Sequence, residues 1–220
     1  MPRRKEVHYF TLNYQRGLDW YASQFGDVPS DCDLLGEVTP YYLFHPFALA
    51  RISRDLPGVK LLVFLRDPVE RCLSQYFHSC RLGLESLGIR DALAAEPERL
   101  MSSQDVLARP DGVHRAHQEH SYLSRSCYEI QLERLGGLFA PDQVLIRRSE
   151  DFFADRLGIL TDIACFLGVA DHWPDLAGAS FNAGRGESSG VDDDLRRELR
   201  SRLAATYDYM ERRHGIVWSV

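Results

Sequence analysis

An α/β fold, with a short parallel sheet flanked by helices, is what these 220 residues predict, and three observations carry the prediction. Leu61 to Leu65 is an apolar run without polar alternation, so a strand there has both faces covered, as in a parallel sheet between helices. The run stops at Arg66, and Asp67-Pro68 reads as an N-cap followed by a first-turn proline, with Glu70 at capping-box spacing, so a helix follows at once. Val144 to Arg148 is a second short buried strand, and Glu150-Asp151 open another helix behind it. Strand, helix, strand, helix order implies right-handed parallel crossovers.

Residues 1–220 can bury one substantial core, since 45% are hydrophobic, and nothing divides them into two domains. A formal net charge of −6 argues against general nucleic-acid binding, which needs clustered Lys and Arg. No apolar run approaches the ~20 residues of a membrane span. The start, Met1 to Glu6, lacks the apolar centre of a signal peptide, so the chain reads as soluble and cytoplasmic. Five widely spaced cysteines without a Cys-x-x-Cys pair read as buried free thiols.

In chain order, Val7 to Phe10 is a short β-prone run, which would put the Glu6 carboxylate and the His8 imidazole on one side. Residues 17–25 form a helix with Leu18, Tyr21 and Phe25 on one face. Pro40 makes Thr39 extended, so residues 36–42 are a strand end or turn. Residues 46–56 are a short amphipathic helix stopped by Pro57-Gly58. After Asp67 the helix carries Val69, Cys72, Leu73, Tyr76 and Phe77 inward, with Arg71, Ser74 and His78 on another stripe. Its outward N–H groups, with Arg66 beside them, would make an anion site, to which Ser74 could add a donor. The pattern fits equally an ordinary connection in which Arg66 pairs with Asp67 or Glu70.

Between Arg81 and His120 the pattern loosens into one helix, about residues 86–102, and a polar stretch. His114, His117 and His120 match no established ligand spacing, so no metal is expected. Residues 121–139 form a strong helix with Tyr128, Leu132, Leu135 and Phe139 inward. Residues 170–190 turn to Gly, Ser, Ala and Asp, and there Gly184-Arg185-Gly186 could wrap a phosphate. Asp192 to Asp194 cap a last helix burying Leu195, Leu199, Leu203 and Met210 before Gly215, with Trp218 packing back.

Arg66-Asp-Pro-x-x-Arg-x-x-Ser74-x-Tyr76 closely resembles the 3′-phosphate-binding motif of sulfotransferases. The resemblance implies a three-layer P-loop-kinase-like fold. It also implies that Arg66 and Ser74 grip the 3′-phosphate of the donor 3′-phosphoadenosine 5′-phosphosulfate, whose product is adenosine 3′,5′-bisphosphate. Lys5-Glu-Val-His-Tyr-Phe10 followed by Gly17-Leu-Asp-Trp-Tyr21 resembles the segment carrying the catalytic base in the heparan-sulfate-type branch, which makes Glu6 the base and His8 its neighbour. Gly36-Glu-Val-Thr-Pro-Tyr-Tyr42 resembles the family's acceptor segment and puts Thr39, Pro40 and Tyr41 beside the acceptor. Val38 stands where that motif has Lys, which leans toward a small-molecule or weakly charged carbohydrate acceptor. Leu123-Ser-Arg-Ser-Cys-Tyr128 resembles a further motif that brings Arg125 and Ser126 near nucleotide and acceptor, and Gly184, Arg185 and Gly186 correspond to the loop closing over the nucleotide.

Sulfotransferases of this type open with a strand, a Gly-rich Lys-containing loop and a helix that hold the 5′-phosphosulfate. None of these is among the 220 residues, and no Gly-x-x-x-x-Gly-Lys-Ser/Thr replaces them. Two accounts stay open. One is a longer enzyme that transfers a sulfuryl group to a hydroxyl or amine without a metal. The other is a catalytically impaired nucleotide-binding or assembly module, with a bare strand edge that invites homo-oligomers. A kinase-like phosphotransferase is a weaker third, because the Walker-type Lys is missing.

Overall fold

The computed structural model describes residues 2, 5–30, 32, 34–171 and 187–218. Helices α1 (Tyr9–Leu12), α2 (Gly17–Ser23), α3 (Tyr41–Phe44) and α4 (Ala48–Asp55) precede strand β1 (Leu61–Leu65) and helix α5 (Pro68–Arg81). Then come α6 (Ile89–Arg99), α7 (Ser103–Ala108), α8 (Arg115–Glu119) and α9 (Tyr128–Gly136). Strand β2 (Val144–Arg148) leads to α10 (Ser149–Ala154), α11 (Arg156–Leu167), α12 (Asp193–Arg202) and α13 (Ala204–His214). Strands β1 and β2 pair in parallel, Leu61 opposite Val144 through Leu65 opposite Arg148. Among the described residues no helix is long and apolar enough to cross a membrane.

The β1 to α5 turn forms as its residues dictate. Asp67 accepts a hydrogen bond from the Glu70 N–H at 3.0 Å, and Pro68 takes the first turn. Helix α5 buries Val69, Cys72, Leu73 and Tyr76 against Leu195, Leu199 and Leu203 of the C-terminal helices. A second core joins Val63 and Leu65 to Tyr9, Phe10, Tyr128, Leu132 and Met210, and so fixes the N-terminal segment against the sheet. Trp218 packs back as expected and donates from Nε1 to Glu150 at 3.0 Å.

Five expectations need correction. Strand β1 is not covered on both faces: Leu62 and Phe64 are 41% and 39% exposed, while Val63 and Leu65 are buried. Residues 7–10 are not extended, because the Tyr9 and Phe10 rings reach the Tyr21 cluster from a helical turn. Leu18 lies exposed on α2 rather than on its inner face. The helix expected from residue 121 begins at Tyr128, since a 3₁₀ turn at Ser124–Ser126 is tied to α5. Cys32 and Cys165 are exposed, and of the five free thiols only Cys72 is fully buried.

Candidate active site

The first half of the site is the turn into α5. Arg66 extends from the end of β1 with its side chain 44% exposed, and its backbone carbonyl accepts the Tyr128 hydroxyl at 2.9 Å. Its guanidinium meets Glu70 at 3.4 Å. Glu70 is shared with Arg196 of α12, so two guanidiniums face one carboxylate. Ser74, half-buried two turns along α5, has no hydrogen-bond partner among the described residues. The helix start itself is less open than its sequence suggests. The Asp67 N–H donates to Glu150 at 2.9 Å and the Glu70 N–H to Asp67, so carboxylates already occupy these donors. An anion here would rely on the Arg66 and Ser74 side chains.

The second half is assembled from three distant segments. Glu6 and His8 both adopt left-handed backbone, with φ of 56° and 54°. Two such residues flank buried Val7, and His8 Nε2 lies 3.4 Å from the Glu6 carboxylate. Alternation along a strand therefore does not pair them; strained backbone does. The His8 hydrogen bond, with smaller help from the charges of Lys5 and Arg125, holds the Glu6 carboxyl below its ordinary value against the opposing effect of burial.

His8 faces Tyr41 edge-on, with ring centroids 6.3 Å apart. The buried Tyr41 hydroxyl bonds His117 Nδ1 at 2.7 Å, and His117 stacks on Phe44 at 4.3 Å. Burial, reinforced by the positive field of His114, Arg125 and Arg134, pushes His117 down to about 4, so the ring is neutral where it meets the phenol. Arg125 lies over Tyr41 and Phe44, 5.6 and 6.0 Å from their centroids.

Several residues singled out from sequence serve the frame. Ser126 is fully buried; its hydroxyl accepts from Arg71 Nε at 2.7 Å and donates to the Pro68 carbonyl at 2.9 Å, so it does not present itself to an acceptor. Thr39 is buried and donates to Glu37 at 2.9 Å, while exposed Pro40 caps α3. Tyr41 reaches the site by its ring, since its hydroxyl is engaged with His117. Gly184, Arg185 and Gly186 lie outside the described residues. Of the histidine triplet, His114 accepts from the His117 N–H and His120 bonds the Leu84 carbonyl; among the described residues no group of His, Cys, Asp or Glu could hold a metal ion.

Sequence reading missed Arg196, His117 and the structural use of Arg71. Arg71 shared a helical stripe with Ser74, which was a usable signal. Arg196 and His117 become neighbours of the site only through tertiary packing.

The likeness to known proteins runs through most of the chain. Over 192 residues, 83% of the chain, it is 29% identical to the bifunctional heparan sulfate N-deacetylase/N-sulfotransferase 3 of Homo sapiens, covering 20% of that protein. It is 28% identical over 169 residues, 74% of the chain, to the human heparan sulfate glucosamine 3-O-sulfotransferase 3B1, covering 38% of it. A shorter match, 44% identical over 78 residues or 34% of the chain, is to the membrane-associated sulfotransferase kil1 of Dictyostelium discoideum, of which it covers 17%. The chain thus spans between 17% and 38% of the length of these curated relatives. No protein-family model matches it. Among solved structures, a sulfotransferase from Alicyclobacillus acidocaldarius superposes with a TM-score of 0.76 at 27% identity, over 96% of this chain and 83% of that one. With the P-loop-kinase-like fold matched over 96% of this chain, and sequence likeness over 83% of it, this chain is similar in both sequence and fold to sulfotransferases.

Proposed function

We propose that the protein transfers a sulfuryl group from 3′-phosphoadenosine 5′-phosphosulfate to a hydroxyl or amine of a carbohydrate or small-molecule acceptor. The observation that carries this reading is the gathering of Glu6, His8 and Arg125 around the Tyr41 ring, from segments far apart in sequence. Glu6 is ionised and partly open, so it can take the acceptor's proton as general base while His8 orients its carboxylate. Arg66 and Ser74 bind the ribose 3′-phosphate through charge-assisted hydrogen bonds. The Tyr128 hydroxyl holds the Arg66 carbonyl and keeps this corner in register with the helix behind Arg125. Val38, exposed beside the acceptor segment, adds no charge there and favours a weakly charged acceptor.

Calorimetric titration with adenosine 3′,5′-bisphosphate tests the donor half. Binding that weakens by roughly tenfold or more in Arg66→Ala is expected, as befits a lost charged hydrogen bond. Absence of binding to the wild type sinks the reading. Transfer of labelled sulfate to a panel of sugars and phenols tests the acceptor half, and binding without any transfer would instead indicate a nucleotide-binding module.

A further inference from the structure

The Glu6 side of the site carries an uncompensated cation. The Arg125 guanidinium is largely buried, yet among the described residues it has no hydrogen-bond acceptor and no carboxylate in ion-pair contact; aromatic faces alone hold it. A charge removed from water without hydrogen-bond partners is costly. A second cation makes the imbalance worse. Arg71 is fully engaged by Ser126, Gln75 and the Tyr122 carbonyl, and its charge acts on Arg125 repulsively. Burial first, and this repulsion second, draw Arg125 down to about 10, so it still carries its charge near neutrality. Glu6 attracts Arg125 from a distance, but its closest partner is His8. Two guanidiniums gathered with so little negative charge between them describe a seat for an anion that arrives with the substrate.

We propose that Arg125 is a further catalytic residue, which contacts the sulfuryl oxygens during transfer. This rests on the sulfuryl-transfer reading above. In the step itself, the acceptor oxygen or nitrogen forms a bond to sulfur as the bond from sulfur to the bridging phosphate oxygen breaks. The breaking bond's electron pair leaves on the 5′-phosphate of adenosine 3′,5′-bisphosphate, and the acceptor's proton passes to Glu6. Charge on the sulfuryl oxygens is thereby met by a cation set in place before the reaction, which needs no reorganisation. The aromatic shelf of Tyr41 and Phe44, locked by the Tyr41 to His117 bond, sets where that cation sits.

The test compares two nucleotides that differ by the sulfuryl group. Arg125→Gln should leave the affinity for adenosine 3′,5′-bisphosphate within about twofold, weaken that for 3′-phosphoadenosine 5′-phosphosulfate by about tenfold, and lower kcat by about 100-fold with acceptor KM unchanged. Arg125→Lys, with charge kept but the planar fork lost, should show the same selectivity at smaller size, and it serves if the glutamine variant does not fold. Equal weakening of both nucleotides would make Arg125 a phosphate ligand, and a raised acceptor KM at unchanged kcat would make it an acceptor contact; either overturns the proposal. Failure of the broader reading shows itself separately, as wild-type protein that binds neither nucleotide.

Discussion

The Tyr41 hydroxyl and His117 Nδ1 meet at 2.7 Å across 76 positions of sequence, and the bond joins α3 to α8 directly beneath Arg125. Because burial keeps the phenol protonated and the imidazole neutral, the bond joins two uncharged partners from mildly acidic to alkaline pH. Tyr41→Phe removes that bond and leaves the ring in place. It is expected to cost about 1–2 kcal/mol of stability, because His117 Nδ1 is left buried and unpaired. It should also lower kcat about tenfold without changing nucleotide affinity, as Arg125 loses its fixed seat. Chemical denaturation and steady-state kinetics on one preparation check both.

Glu6→Gln preserves shape and removes the proton acceptor. Transfer should fall by roughly 10²–10⁴-fold while binding of adenosine 3′,5′-bisphosphate stays unchanged. An active Gln variant would exclude Glu6 as the base.

The acid limb of kcat/KM follows the Glu6 carboxylate. Its pKa is lowered, chiefly by the His8 hydrogen bond, so the base stays ionised to lower pH than an ordinary Glu and activity fails only as pH drops through that lowered value. His8→Asn tolerates the left-handed backbone but removes the imidazole, and should move the limb upward. A limb that stays in place would show that His8 does not tune the base.

Glu85 predicts acid sensitivity outside the site. Its burial opposes ionisation, but hydrogen bonds from Arg99 at 2.5 Å, the Leu87 N–H and the Tyr122 hydroxyl overcome this and bring it to about 2 from 4.5. A lowered carboxyl stabilises the fold above its unfolded value, and that contribution, about 3 kcal/mol, disappears as pH falls from about 4.5 toward 2. Glu85→Gln should be destabilised at pH 7 by about 3–5 kcal/mol, because Arg99 is left without its partner. It should also lose much of the wild type's pH dependence in that window, as denaturation curves at several pH values would show.

Ser74→Ala should weaken adenosine 3′,5′-bisphosphate by about 1 kcal/mol, a single neutral hydroxyl's share, and less than Arg66→Ala does. Competitive displacement of a fluorescent nucleotide resolves a difference of that size.

What the sequence disclosed is local. Strand 61–65, the Asp67 cap, the buried stripe of α5 and the left-handed Gly215 end of α13 each depend on a few adjacent residues, and all were readable. The Glu6 and His8 pair was anticipated through resemblance, but for a geometric reason that does not hold, because nothing in residues 5–10 announces left-handed backbone in non-glycine residues. Ser126 was taken for a substrate contact since its motif says nothing of depth; only the packing of α5 on the Ser124–Ser126 turn buries it. His117 hid within an evenly spaced triplet that differs only in what lies opposite each ring. Burial, and partnership across tens of residues, are tertiary properties that local patterns do not encode.

The left-handed φ values of Glu6 and His8 set endurance against chemistry. Each position holds a side-chain-bearing residue where glycine would rest without strain, at a penalty of about 1–2 kcal/mol apiece. Variants of this chain selected for survival on heating alone should therefore drift to glycine at position 6 or 8 and emerge hardier but inert.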